Sequence, residues 1–253
     1  MTGLIKAEFR KLFTTQVWFW MLLLSLGLTA LATIGQIAGS GNDIDLQNHI
    51  RDVFTSVVQA PAYVPLFILG VLSVTTEYRY QTITPTVLTT PSRWTLITAK
   101  LVSMALIGAV YAAACVVIEL AIALPWLANR QVDVNLGGHI GSLAAVFMIL
   151  VLFALVGLGA GALLKNQIVA VSLGVAFILI IDNIVLVIPG IRAAYPYLLT
   201  GATHSIVSSA SDRRDFNDFV HLISPAAGAA VLVVWGLAMA LIGAGITMNR
   251  DIT

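Results

Sequence analysis

The chain has 253 residues, 59% of them hydrophobic and only 10% charged, with a mean hydropathy of +0.96 and a formal net charge of +1. Soluble domains carry about 25% charged residues, so a surface this poor in charge excludes solvation all round and requires lipid over most of it. The single cysteine, Cys115, excludes an intrachain disulfide and reads as a small packing residue within an apolar run.

The first element is Thr2–Thr14. Leu4, Ile5, Phe9, Leu12 and Phe13 recur at helical spacing with Lys6, Arg10 and Lys11 between them. That pattern predicts an amphipathic helix lying in the inner membrane interface. Runs of about 20 apolar residues then predict six transmembrane helices, at Val17–Ala38, Val57–Thr75, Leu96–Leu124, Ile140–Leu164, Ile168–Pro189 and Ala226–Thr247. Continuous apolarity without period-two alternation points to helices rather than strands. The first run is too long for the core of a cleavable signal, and no small-x-small site follows it. The third is too long for one upright span, so it tilts or projects beyond the bilayer. The expected fold is all-α, a single transmembrane domain over residues 1–253.

Basic residues in short loops set orientation. With a cytoplasmic N-terminus, Lys6, Arg10, Lys11, Arg79, Arg93, Lys100, Lys165 and Arg250 lie inside, against Arg51, Arg130, Arg192, Arg213 and Arg214 outside. This bias predicts both termini in the cytoplasm. The outer segment Gly190–Ser224 is long for a simple link. Its first half, Ala193–Ser209, is apolar but too short to span, which makes it a re-entrant or interfacial candidate. A folded surface loop is the alternative reading.

Glu119 and Asp182 are the only acids within the predicted spans. Counting from Lys100 and Asn166 at 1.5 Å per residue puts them about 28 Å and about 24 Å along their helices, both in the outer half. Such residues are costly in lipid and face protein or water. One reading has them, with Asn183, lining a substrate path or binding a cationic substrate group; the other makes each a buried, paired or protonated packing residue. Gly157-Leu158-Gly159-Ala160-Gly161 carries a small-xxx-small pattern suited to close helix contact. The four histidines lack metal-ligand spacing, so no metal is expected. No lysine directly follows a glycine, so the chain has no phosphate-binding loop of the Walker A type and is not expected to be an enzyme.

Between the second and third spans lies Thr75-Thr76-Glu77-Tyr78-Arg79-Tyr80-Gln81-Thr82-Ile83, followed by Leu88-Thr89-Thr90-Pro91-Ser92-Arg93 and Lys100. This signature resembles the corresponding loop of ABC type-2 permeases, the membrane subunits of ATP-driven exporters. Ala7-Glu8-Phe9-Arg10-Lys11-Leu12 looks like the Glu-x-x-Lys pattern of the helix that leads into their first span. The chain departs from the family in having Gln81 where glycine is common, and in Pro85.

The resemblance implies a coupling helix at about Ile83–Thr90, with Glu77, Arg79, Ile83, Leu88, Thr89, Thr90 and Arg93 at the ATPase contact. It implies an interface helix bearing Glu8, Arg10 and Lys11, and re-entrant outer helices before the last span. No cofactor is expected on this chain, with ATP and Mg held by the partner. The implied partners are ABC ATPase subunits, a second or related permease and the lipid bilayer, with no nucleic acid. The expected location is a prokaryotic cell membrane, and the expected role is efflux of a hydrophobic or amphiphilic substrate. A non-transporting assembly or sensing protein, or a secondary transporter, remains as the alternative.

Overall fold

The computed structural model describes residues 2–40, 46, 50–80, 93–132, 134–208 and 220–248. Every regular element among them is helical. Five helices are long and apolar enough to cross a membrane: Val17–Gly39, Thr95–Asn129, Leu136–Leu164, Gln167–Val187 and Pro225–Gly243.

In chain order, the amphipathic segment forms α1 (Thr2–Phe13) and leads into α2 (Val17–Gly39). The connection is short because the hydroxyls of Thr14 and Thr15 donate to the carbonyls of Lys11 and Leu12, closing the C-terminus of α1. Phe13 meets Trp18 edge-on at 4.9 Å across the corner.

The second predicted span differs from expectation. Instead of one run from Val57, the chain forms a single turn, α3 (Ile50–Val53), then α4 (Ser56–Gln59), then α5 (Val64–Arg79). Pro61 lacks an amide proton and biases its predecessor away from helix, so the helix stops at Gln59. It restarts where Pro65 fits the first turn. The 16 residues of α5 cover about 24 Å, short of a bilayer's apolar thickness of about 30 Å. Its faces are enclosed by protein, with Leu66, Phe67, Leu69, Gly70, Val71 and Val74 all buried.

The third span is α6 (Arg93–Asn129), whose 37 residues extend about 55 Å, as its apolar length required. The fourth is α7 (Leu136–Leu164), the axis of the bundle. It packs against α5, α6, α11 (Pro225–Met248) and α8 (Gln167–Ala176). The turn from α7 to α8 is two residues. Lys165 takes a left-handed conformation, φ 55°, and the Asn166 side chain accepts from the amides of Ile168 and Val169 as the cap of α8.

The glycine pattern is spent within the chain. A Cβ at Gly157 would stand 2.0 Å from the carbonyl oxygen of Phe67, and one at Gly161 2.7 Å from that of Val71, both in α5. On the opposite face, a Cβ at Gly159 would lie 2.4 Å from the carbonyl oxygen of Gly236 in α11. Backbones meet here at distances only glycine permits, as intramembrane helix packing favours.

The bundle's outside is apolar. Leu31, Val110, Val117, Ile168, Val187 and Val234 are each more than 60% exposed. Such a surface suits hydrocarbon, not water.

Candidate functional site

Glu8, Lys11 and Glu77, three of the residues the sequence marks as candidates, converge with Lys100 at one end of the bundle. Glu8 and Lys11 lie one turn apart on α1, Glu77 is in the last turn of α5, and Lys100 is in the second turn of α6. They form a closed group of four charges. The Lys11 ammonium stands 2.9 Å from Glu8 Oε1 and 2.7 Å from Glu77 Oε1. The Lys100 ammonium stands 2.8 Å from Glu8 Oε2 and 2.8 Å from Glu77 Oε1. Two carboxylates and two ammoniums alternate, so the group is neutral as a whole. Glu8, Glu77 and Lys100 are nearly enclosed, and only Lys11 is substantially exposed.

Burial by itself raises the pKa of Glu8, but the ammoniums of Lys100 and Lys11 overcome it and hold the carboxyl below its ordinary value. Burial lowers that of Lys11, but Glu77 and Glu8 overcome it and hold the ammonium above its ordinary value. Glu8, with a depressed native value, stabilises the docked α1 fully above the ordinary 4.5. That contribution is lost as pH falls through the lower native value. Lys11, with a raised one, contributes fully below the ordinary 10.5 and loses it as pH rises through the higher native value. We therefore expect hydrogen-exchange protection of α1 amides, corrected for intrinsic rates, to stay constant across the neutral range and to fall only at pH below the ordinary 4.5. A steady decline from pH 8 to pH 6 would contradict this.

Beside the charges lies a cleft of about 490 Å³ between α1, α5, α6 and the start of α8. Leu12, Leu69, Leu72, Met104 and Ile107 give it an apolar wall. At its rim Arg79 contacts Gln167 Oε1 at 3.4 Å and lies over the Tyr80 ring. Arg10 is exposed and takes no part in the charge group. Arg93 opens α6. Ile83, Leu88, Thr89 and Thr90, and with them the expected coupling helix, lie outside the described residues.

The two intramembrane acids are both fully buried but are held in different places. Asp182 follows a π-helical segment, Phe177–Ile181, and begins α9 (Asp182–Val187). The chain after α9 then forms a 3-10 turn, Arg192–Tyr197, and α10 (Leu199–Val207), whose residues are almost all buried against α11. Asp182 Oδ2 accepts the Thr200 amide at 2.6 Å, and the Thr200 hydroxyl donates to the Ile178 carbonyl within the π segment. At the other end of α10 the Arg51 guanidinium donates to the Val207 carbonyl at 2.6 and 3.1 Å. A carboxylate at the N-terminus and a guanidinium at the C-terminus both suit the helix dipole. Asp182 thus positions α10.

Asn183 does not join a polar patch with Asp182. It is exposed and donates to Leu179 of its own helix, because adjacent helical positions point about 100° apart. Replacing Arg51 with methionine should cost about 1–3 kcal/mol through the stranded Val207 carbonyl. Thermal unfolding in detergent would register it, and an unchanged midpoint would remove Arg51 from this role.

Glu119 lies elsewhere, on a polar seam that sequence reading missed. Ser25, Thr29 and Thr33 step along one face of α2 at intervals of four, all fully buried. Tyr111, Cys115 and Glu119 step likewise along α6, also buried. Ser25 Oγ and Cys115 Sγ meet at 3.4 Å, and Ser56 at the head of α4 reaches both Thr33 and Glu119. Hydroxyl residues at i, i+4 and i+8 in an otherwise apolar run were the available signal. Among the described residues, no three histidine, cysteine, aspartate or glutamate side chains gather as a metal site.

No curated protein matches this chain significantly. The family model described as ABC-2 family transporter protein matches residues 4–243, from α1 through all five apolar helices and the charge group that ties α1 to α5 and α6. Its span and the multi-pass helical body agree, and the chain belongs to the ABC-2 transporter family of membrane proteins.

Proposed function

We propose that this chain is the permease subunit of an ABC exporter, moving a hydrophobic or amphiphilic substrate from the cytoplasm or inner leaflet outward while a separate ATPase chain hydrolyses ATP. The observation that carries the reading is the charge group Glu8–Lys11–Glu77–Lys100. It fastens the interface helix to the inner ends of the two helices that flank the loop containing Ile83–Thr90. A push delivered at that loop or at α1 would move α5 and α6 as one body, which is what coupling hydrolysis to transport needs.

On this reading α5 crosses as the sixth span, its shortness made good by α4 and its enclosure in protein. Both termini are cytoplasmic and α10 is re-entrant. Two permease copies, or one and a relative, enclose the path. ATP and Mg stay on the ATPase, and the whole of 1–253 acts as one transmembrane domain. A cysteine at Ser211 should react with impermeant maleimide from outside intact cells and one at Ser92 should not; reversed labelling would overturn the orientation.

Coupling is tested by Leu88→Asp. The substitution touches no span, so the permease should still insert. The new charge would sit uncompensated in the partner contact. ATPase recruitment in pull-downs and substrate-stimulated hydrolysis in proteoliposomes should both fall; if neither changes, the loop has no coupling role.

A further inference from the structure

We propose that the polar seam at Glu119 is a binding site for a single monovalent cation of sodium's size, set within the outer half of the bundle. The argument begins with protons. Thr33 donates its hydroxyl proton to the Thr29 carbonyl at 2.9 Å, Thr29 donates to Ser25, and Ser25 donates to the Ala62 carbonyl at 2.8 Å. Each hydroxyl on the α2 face has therefore committed its only proton to backbone and offers only lone pairs to the seam. Ser56 has one proton for two acceptors, Thr33 Oγ1 at 3.3 Å and Glu119 Oε1 at 3.5 Å.

Glu119 is 0% exposed, Oε2 has no hydrogen-bond partner, and no ion pair reaches the carboxylate among the described residues. A buried carboxyl left so must be neutralised, either by a proton of its own or by a positive charge held against it, and the surrounding lone pairs favour the second.

The spacing identifies the kind of charge. Hydroxyl–oxygen hydrogen bonds centre near 2.7–2.8 Å, and both Ser56 contacts are much longer. Oxygens that share an ion at about 2.3–2.6 Å, the range for calcium and for sodium of nearly equal radius, stand about 3.3–3.7 Å apart when they meet at right angles. The separations Thr33 Oγ1–Ser56 Oγ, 3.3 Å, and Ser56 Oγ–Glu119 Oε1, 3.5 Å, match that edge length. A single carboxylate neutralises one positive charge and would leave a divalent ion half-compensated in a buried place. The hard, all-oxygen donor set excludes a soft metal.

Three separate elements meet at the ion: Thr33 from α2, Ser56 from α4 and Glu119 from α6. The outward side is covered by the apolar cluster of Ile37, Phe54, Ala123 and Leu127. A cation here would fasten α4, and with it the break before α5, to the two neighbouring spans. It is independent of the ATPase partnership.

The test uses the full chain in lipid nanodiscs. Equilibrium binding of radioactive sodium should saturate at one ion per chain. The unfolding temperature should rise with NaCl when choline chloride holds ionic strength constant, since a ligand bound only to the native state stabilises it by mass action. Glu119→Gln should abolish both effects. Thr33→Val and Ser56→Ala, which keep the carboxylate and guard against misfolding of the first variant, should weaken binding at least tenfold, while Asn183→Ala should leave it unchanged. Absence of bound sodium in the unaltered protein would overturn the site, as would an equal rise with choline or full binding in Thr33→Val. So would a sodium-insensitive infrared band of a protonated carboxyl that vanishes in Glu119→Gln, because a covalently held proton would then supply the positive charge.

Discussion

Replacing Gly157 with alanine is expected to prevent the bundle from closing. The added methyl would lie 2.0 Å from the Phe67 carbonyl oxygen and 2.8 Å from its carbon, so backbone rather than a flexible side chain must give way. Only separation of α5 from α7 relieves the clash, and these two form one of the largest helix contacts in the molecule. Overpacking in a rigid core costs about 1–3 kcal/mol and occasionally more; a backbone-to-backbone obstruction belongs at or above the upper limit. Gly159→Ala meets the Gly236 carbonyl at 2.4 Å and should separate α7 from α11 in the same way. Gly35, with open space around its α-hydrogen, is the comparison. Alanine there should leave the protein unharmed or stabilise α2 by about 0.5–1 kcal/mol. Yield of monodisperse protein and the unfolding midpoint measure all three, and a Gly157→Ala protein as stable as Gly35→Ala would refute the packing.

Lys100→Met should be the most damaging change among the charged residues. It leaves Glu8 and Glu77 facing each other near the membrane with only the half-exposed Lys11 between them. Removing one partner of a buried ion pair costs about 3–5 kcal/mol, chiefly because the remaining charge stays unpaired. The loss should appear first as release of α1, seen as hydrogen exchange over residues 2–13, and then as a lowered unfolding midpoint. The double variant Lys100→Met with Glu8→Gln restores neutrality and should recover much of the loss. Lys11→Met, at the exposed corner, should cost markedly less. Equal damage from Lys11→Met and Lys100→Met would mean that burial does not set the energetics of this group. High salt should do little to the buried pairs, since screening acts on exposed charges.

These expectations also separate what is local from what is not. Composition and runs of apolar residues determined that the chain is helical and lipid-covered, because the cost of bare backbone in hydrocarbon leaves few alternatives. The same runs located α2, α6, α7, the α8–α9 span and α11 to within a few residues. The amphipathic spacing of α1 and the one-turn pairing of Glu8 with Lys11 were equally legible, since both depend only on helical period. The family signature pointed to Glu77, which the fold places among the four charges.

Tertiary structure decided the rest. Lys100 is 92 residues from Glu8 and 23 from Glu77, and only the crossing of α1, α5 and α6 makes it their shared counter-ion. Asp182 appeared in sequence as an acid in lipid. Its work as the cap of α10 follows from a π segment and a chain reversal that bring Thr200 back across 18 residues. The glycines of α7 were readable as contact residues, but which partners they meet depends on which faces α5 and α11 present. The break at Pro61 was overlooked because hydropathy averages over a window and does not register a missing amide proton. Hydrophobicity and period are properties of neighbouring residues, so a sequence carries them directly. A buried charge or hydroxyl acquires its role from partners that only the fold brings within reach.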